Sequence, residues 1–260
     1  MAGGRNSTTQ AVQKAMHVLS CFTAPGATTL GVLELSKQTG WTESTVSRLL
    51  SALEDSGFVE QERATGRYLP GLRLVTLATA ALAARPLHAV CHPHLEKLAT
   101  ESGETVDLCV LDGDAVLVID EVVGIHAIKA SGWIGTRHLF HAAAAGKVLL
   151  AGLPTEQRDA LLSQDLLAPT PYTMTERAHL LDQLEHVRAV GYALSVEEVD
   201  LGLTAVAAPI ANHTGTVVAA FALAGPSFRL VGHHLDRCIA AVCIAARDAS
   251  QRLGHHMSEP

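Results

Sequence analysis

Apolar positions recur with helical spacing through the first third of the chain. Val12, Ala15, Met16, Leu19 and Phe22 form one stripe in steps of three and four. Leu33 to Thr39 predicts a second, short helix that Gly40 stops. Val46, Leu49, Leu50 and Leu53 make the buried stripe of a third helix. Thr42 stands where its hydroxyl can cap that helix, and Glu43 falls in the first turn, where the helix dipole favours an acid. Gly57 ends it. The pattern then shortens to two strands, Phe58 to Arg63 and Arg67 to Leu69, around an Ala64-Thr65-Gly66 turn. Helix, short helix, Gly turn, longer helix and hairpin is the order of a winged helix-turn-helix. Residues 1–10 carry no stripe and are expected to be disordered.

From Leu72 to Arg85 the spacing predicts a Leu- and Ala-rich helix, with Leu74, Leu77, Ala78 and Ala81 on one side and Pro86 as its stop. That apolar side can pair with a second copy of the chain. A helix from about Leu87 to Ser102 follows. Val106–Leu111 and Ala115–Val122 read as strands around Asp112-Gly113-Asp114, and Ala127–Ala130 and Thr136–Phe140 as strand pieces. Helices are expected at Ala144–Ala151, Thr155–Ser163, Thr175–Val190 and Phe228–Leu253. Tyr192–Glu197, Thr204–Ile210 and Thr216–Ala224 complete the strands. Hairpins beside runs of helices predict an α+β body with a mostly antiparallel sheet flanked by helices. The organisation expected is a winged helix-turn-helix DNA-binding domain at 1–71, a linker helix at 72–86 and a second domain at 87–260, with a disordered tail after Gly254.

Length supports this division, since 260 residues can bury two cores. Aromatic residues are only 4%, so both cores must be built from Ala, Leu and Val. The net charge of −7 argues against a protein that coats nucleic acid along its whole surface. The balance is uneven, at +2 over residues 1–85 and −9 over the remainder, which suits a site-specific binder whose body stays off DNA. No apolar run reaches the roughly 18 residues of a membrane span. The N-terminal MAGGRNSTTQ lacks the apolar region of a signal peptide, so a cytoplasmic location is expected. The five cysteines include no C-x-x-C pair and are expected to be reduced.

Two segments carry candidate chemistry. On the third helix Ser44, Thr45, Ser47 and Arg48 lie away from the apolar stripe, with Thr42 at the helix start. Short hydroxyls there can meet phosphates and Arg48 can reach a guanine edge, while Arg63 and Arg67 can hold phosphates from the wing. The alternative is a helix and hairpin that only pack a core. The second segment, Thr136 to Val148, passes from strand to helix through four alanines and Gly146. Small residues leave the first amides of that helix, at Ala144 and Ala145, open to an anion, for which a carboxylate is the expected guest. The alternative is that the alanines simply pack close to the sheet. The segment is not a phosphate-binding loop, because His141 stands where the first Gly belongs and Val148 where a Ser or Thr must hold magnesium.

Other groups are weaker candidates. His88, Cys91, His92 and His94 have partial metal-ligand spacing, but Pro93 is expected to interrupt the helix and no second half is apparent. They read as partly exposed histidines near a domain junction, and neither a metal nor a cofactor is expected. Glu197, Glu198 and Asp200 read as a solvated strand end. Neither G-x-S-x-G nor H-E-x-x-H occurs, so the chain is not expected to be an enzyme.

Over about residues 10–253 the chain resembles an IclR-type transcriptional regulator. Four blocks carry the likeness: Ser44-Thr-Val-Ser-Arg-Leu-Leu with Gly57-Phe-Val; Gly66-Arg-Tyr with Gly71; His141-Ala-Ala-Ala-Ala-Gly-Lys with Leu149-Leu-Ala; and Gly191-Tyr-Ala with Glu197-Glu, Gly202-Leu and Ala207-Ala-Pro. The resemblance implies a winged-helix head, a linker helix and a GAF-like effector domain. It also implies a homodimer through the heads, often a dimer of dimers, on a pseudo-palindromic double-stranded operator. By position it carries an effector pocket to Ala127, Ala130, His138 and Leu203 as walls, to the amides of Ala144 and Ala145, and to Ser195 and Ala205. Ser195 stands where relatives often carry an acid, and Ala205 where a small or thiol residue is common. These departures point to a larger organic acid, an aromatic one included. Glu60, Glu62 and Pro70 depart from the family wing and weaken its contacts. The expected function is a regulator whose operator affinity a small organic acid controls. The alternatives are a small-molecule enzyme with a DNA-binding appendage, or a metal sensor built on His88, Cys91 and His92.

Overall fold

The computed structural model describes residues 3–24, 27–83 and 86–255. The chain divides into two compact units, Met1–Arg85 and Pro86–Pro260. In the first, α1 (Gly3–Cys21), α2 (Val32–Thr39) and α3 (Glu43–Asp55) pack around Val18, Leu35, Val46, Leu50 and Leu53. The hairpin β1 (Val59–Gln61) and β2 (Tyr68–Pro70) closes that core with Val59 and Tyr68. Leu30 bridges Tyr68 in antiparallel fashion, so the wing is fastened to the segment before α2. Gly40 takes φ 72° in the left-handed region, which lets the chain turn sharply between α2 and α3. The helix α4 (Arg73–Ala83) follows the wing and leaves Leu72, Val75 and Leu77 exposed.

The helix α1 begins at Gly3, earlier than its apolar stripe. The expectation of disorder over residues 1–10 is corrected from Gly3 onward, while residues 1–2 lie outside the described residues. The stripe marks the part of a helix that packs, and backbone bonding extends it by further turns. Residues 84–85 of the expected linker and 256–260 of the expected tail also lie outside the described residues.

The second unit is one antiparallel sheet between two helical layers. Its strands are β3 (Thr105–Asp112), β4 (Ala115–Val122), β5 (Arg137–Leu139), β6 (Ala193–Val196), β7 (Leu203–Ala211) and β8 (Val217–Pro226). Their order is β5-β4-β3-β8-β7-β6. The helices α5 (Pro86–Ser102) and α9 (Gly232–Arg252) cover one face; α6 (Ala144–Gly152) and α8 (Arg177–Val190) belong to the other, with α7 (Thr155–Leu161) joining them in sequence. Strand alternation sorts side chains by size. Val206, Ile210, Phe221 and Leu223 point to the α5/α9 layer, whereas Ala207, Ala220 and Ala222 point to the α6 layer. One irregularity matters below. Leu108 pairs with Asp120 but Cys109 pairs with Val118, so Ile119 is an extra residue in β4, a β-bulge.

Two expectations for this unit are corrected. Ala127–Ala130 is a series of bends in the loop between β4 and β5 and forms no strand. Pro93 does not interrupt its helix, because α5 runs through it to Ser102. Glu198 is also not part of a solvated strand end. It is buried and ion-paired with Lys147, which is fully buried in α6 and also donates to the Leu194 carbonyl, 3.1 Å away. The pair joins the start of α6 to the β6–β7 connection. Burial lowers the Lys147 pKa, and the Glu198 charge opposes that shift.

Removing one partner of such a pair strands a buried charge. Lys147→Met should lower unfolding stability by about 3–5 kcal/mol. The double variant Lys147→Met/Glu198→Gln should lose less than Lys147→Met alone, as thermal unfolding of the three proteins will show.

Candidate functional site

In the first unit, α3 presents its polar face to solvent. Thr42 caps it, accepting the Thr45 N–H at 3.4 Å and lying 2.9 Å from the Thr45 hydroxyl. Ser44, Ser47 and Arg48 are exposed and Thr45 is half-buried. Lys14, from α1, joins Thr45 and Arg48 around one concavity and stands 5.2 Å over the Trp41 ring. Sequence periodicity gave no reason to bring Lys14 to this face. Arg63 is exposed at the wing tip.

Arg67 is a correction. It was expected to hold phosphate, but its guanidinium donates to Thr29 Oγ1 at 2.9 Å, the Thr29 carbonyl at 2.7 Å and both Glu34 oxygens at 2.7 and 3.2 Å. Glu34 in turn accepts the Gly31 N–H at 2.9 Å and so caps α2. The Gly31 bond, and next to it Arg67, hold the Glu34 carboxyl below its usual pKa. Arg67 therefore locks the wing to α2, and Arg63 is the cation left at the wing tip.

In the second unit, the alanine-rich face of the sheet leaves a cavity under the start of α6. Its empty volume is about 450 Å³, part of it continuous with solvent. His138, Ala144, Ala145, Ser195, Leu203 and Ala205 all line it. The structure thus brings together six of the eight expected effector residues. Ala127 and Ala130 are corrected: neither is among the lining residues. Ala127 is exposed, and the buried Ala130 uses its carbonyl to accept the Thr105 hydroxyl. Their loop reaches the cavity only later, at Trp133.

The polar groups of the cavity are few and specific. The N–H groups of Ala144 and Ala145 open α6 and have no acceptor among the described residues. Gly146 permits this approach, since a Cβ there would lie 2.0 Å from the Phe140 carbonyl oxygen. Asp107 is 2% exposed and its Oδ1 has no hydrogen-bond partner. Burial raises its pKa well above the usual range, and the charges of Glu121 and Asp120 add to the shift. Glu121 holds the wall nearby by accepting the Gly132 and Trp133 N–H groups at 3.0 and 3.1 Å.

His138 packs edge-on against Trp133, with ring centroids 5.4 Å apart. Burial lowers its pKa, so the ring is neutral at pH 7. Its tautomer follows from Thr136. That hydroxyl has one proton, which it donates to the Trp133 carbonyl at 2.6 Å. It must therefore accept from His138 Nε2 at 2.9 Å, leaving Nδ1 as an acceptor. His141 turns away from the cavity and donates from Nε2 to the Leu167 carbonyl at 2.8 Å.

Both units match known families. Residues 11–63 match the IclR helix-turn-helix domain, and residues 79–251 match the bacterial transcriptional regulator IclR C-terminal domain. The chain belongs to the IclR family. It is similar to the transcriptional repressor IclR of Escherichia coli, 35% identical over 228 residues that span 86% of this chain and 83% of that one. The Thermotoga maritima IclR structure covers 95% of this chain and 100% of its own at 28% identity and a TM-score of 0.75. The fold also matches an IclR homolog from Microbacterium hydrocarbonoxydans complexed with 4-hydroxybenzoate, at 24% identity, a TM-score of 0.83 and coverage of 94% and 98%. This IclR-family chain is thus a DNA-binding transcriptional regulator. Among its described residues no helix is long and apolar enough to cross a membrane.

Sequence reasoning missed Asp107, Trp133 and Glu121 in this IclR-family cavity. Asp107 did leave a signal, as a lone acid in the apolar run Val106-Asp-Leu-Cys-Val-Leu. Trp133 left none, because it reaches the cavity from an irregular loop.

The raised Asp107 pKa sets a pH dependence. Between its unfolded pKa of about 3.9 and its higher folded value, the native state keeps a proton that the unfolded state has released. Stability therefore falls as pH rises through that window. Asp107→Asn keeps the group neutral, so the variant should melt higher than the parent near neutral pH, with the gain vanishing towards acid. Equal melting temperatures across the range would mean that Asp107 ionises freely in the folded protein.

Proposed function

We propose that this chain is an effector-controlled transcription factor of the cytoplasm, with a small organic acid as the effector. Asp107 supports this most directly: a buried polar atom without a partner stands in a cavity that also holds two unpaired helix-start amides. The amides of Ala144 and Ala145 receive the carboxylate, aided by the α6 dipole. Protonated Asp107, Ser195 and the acceptor Nδ1 of His138 serve polar substituents, and Leu203 and Ala205 give apolar contact. The flat face of Trp133 favours an aromatic acid, which makes 4-hydroxybenzoate the first probe.

Ser44, Thr45, Ser47 and Arg48 read or position double-stranded DNA from α3, with Thr42 at its start. Arg63 and Lys14 contact phosphates. The exposed Leu72, Val75 and Leu77 of α4 support pairing of two copies, and a two-fold dimer implies a pseudo-palindromic operator. The effector changes operator affinity by binding one arrangement of the dimer better than another.

Footprinting on the DNA upstream of the gene and its neighbours tests the reading. A protected palindrome is expected, and Arg48→Ala should weaken it by about 1–3 kcal/mol if Arg48 grips a base with two hydrogen bonds. Unchanged protection would remove Arg48 from the readout. Ala145→Pro deletes one of the two amides and should abolish release of the footprint by the effector while leaving DNA binding intact. A folded Ala145→Pro protein that still responds would place the effector elsewhere.

A further inference from the structure

A second cluster lies on the sheet face opposite the effector cavity. His88 and His92 stand one turn apart on α5, with stacked rings whose centroids are 5.4 Å apart. Both aim a nitrogen at one carboxylate oxygen. His88 Nε2 is 3.2 Å and His92 Nδ1 2.7 Å from Asp120 Oδ2. One donor atom from each of the three residues lies within 4.8 Å of the others. Asp120 is buried, and its other oxygen accepts the Glu121 N–H at 3.0 Å. The half that the sequence lacked is thus supplied by β4.

We propose that His88, His92 and Asp120 bind a divalent transition-metal ion, zinc by preference, which ties the first turns of α5 to β4. Two imidazoles and one carboxylate form the mixed nitrogen and oxygen set that suits zinc, cobalt or nickel, whereas magnesium and calcium take oxygen ligands. One carboxylate charge with two neutral rings offsets half the charge of the ion, and Glu121 and Asp107 on the same strands add negative potential. Both imidazole side chains are about one-third exposed, at 35% and 38%, so the ion has a route in and a fourth position for water. Ligation through His92 Nδ1 leaves its Nε2–H towards Glu96, 3.8 Å away on the next turn, an outer partner of the kind that orients metal-bound histidines. Cys91 takes no part, because it is fully buried among the core residues under α5. His94 turns to the Phe221 ring instead. The site stands apart from the effector cavity, and its test does not depend on that reading.

The test is titration of the purified full-length protein, first with Zn²⁺ by calorimetry and then with Co²⁺ by visible absorption. One ion per chain is expected, with intense cobalt bands of a four-coordinate site. Asp120→Asn keeps the shape of the side chain, and His88→Ala removes a half-exposed ring. Each should weaken binding by at least about tenfold, the loss that even an outer partner of a metal site can cause. Cys91→Ser should leave affinity and spectrum unchanged. Circular dichroism establishes that each variant is folded, and His92→Gln replaces any that is not. Full-affinity binding in the His88→Ala/Asp120→Asn double variant would assign the ion to other histidines and overturn the proposal, as would the absence of binding by the parent protein.

Discussion

The buried ion pair between Lys147 and Glu198 is the constraint on which the effector domain depends. It joins two segments 51 residues apart in the chain, the opening of α6 and the link from β6 to β7. Each of these contributes to the cavity: one the amides of Ala144 and Ala145, the other the wall at Ser195, Val199 and Leu203. A charged pair in a low-dielectric interior has few acceptable geometries, because neither partner can turn to water. The pair therefore fixes the position of the helix start with respect to the wall. Thr173 adds to the same clasp by donating to the Glu198 carbonyl, and Thr170 donates to that of Glu197.

The cavity itself follows from side-chain size. Large residues of β7 and β8 fill the layer under α5 and α9, where packing is complete. Alanines on the other face bring α6 close over part of the sheet and leave space where Ala205, Ala222 and Ala224 meet no large neighbour. A chain with few aromatic residues reaches this state readily, since alanine strands can be packed against a helix without a gap only where the helix is equally slim. The DNA-binding head obeys a separate economy: its small core is pinned by Arg67 and Glu34, which couple the wing to α2.

Much of the architecture was legible in the sequence. Stripes at helical spacing located α2, α3, α6 and α8, and turn residues located the β3–β4 hairpin, because these elements have one apolar side each. The irregular loop between β4 and β5 was not legible. Ala127–Ala130 has strand-like composition, yet its backbone is organised by Thr105 and Lys129 rather than by a neighbouring strand. The candidate site was partly legible for a related reason. The Ala144–Ala145 helix start and Ser195 belong to marked motifs, whereas Asp107 needed the pairing of β3 to become part of a cavity. Glu198 looked like one of several surface acids, and only tertiary contact with Lys147 distinguishes it. Arg67 looked like a free wing cation for the same reason.

The bulge at Ile119 carries a further consequence. In a regular strand Asp120 would share the face of Val118, and Glu121 the opposite one. The extra residue puts Ile119 and Asp120 on the same side and reverses the strand from there on. Asp120 thereby reaches the two histidines of α5, while Glu121 reaches Gly132 and Trp133 beside the cavity. One inserted residue thus assigns each acid to its task, and shortening β4 by that residue would exchange the two faces without altering a single charge in the chain.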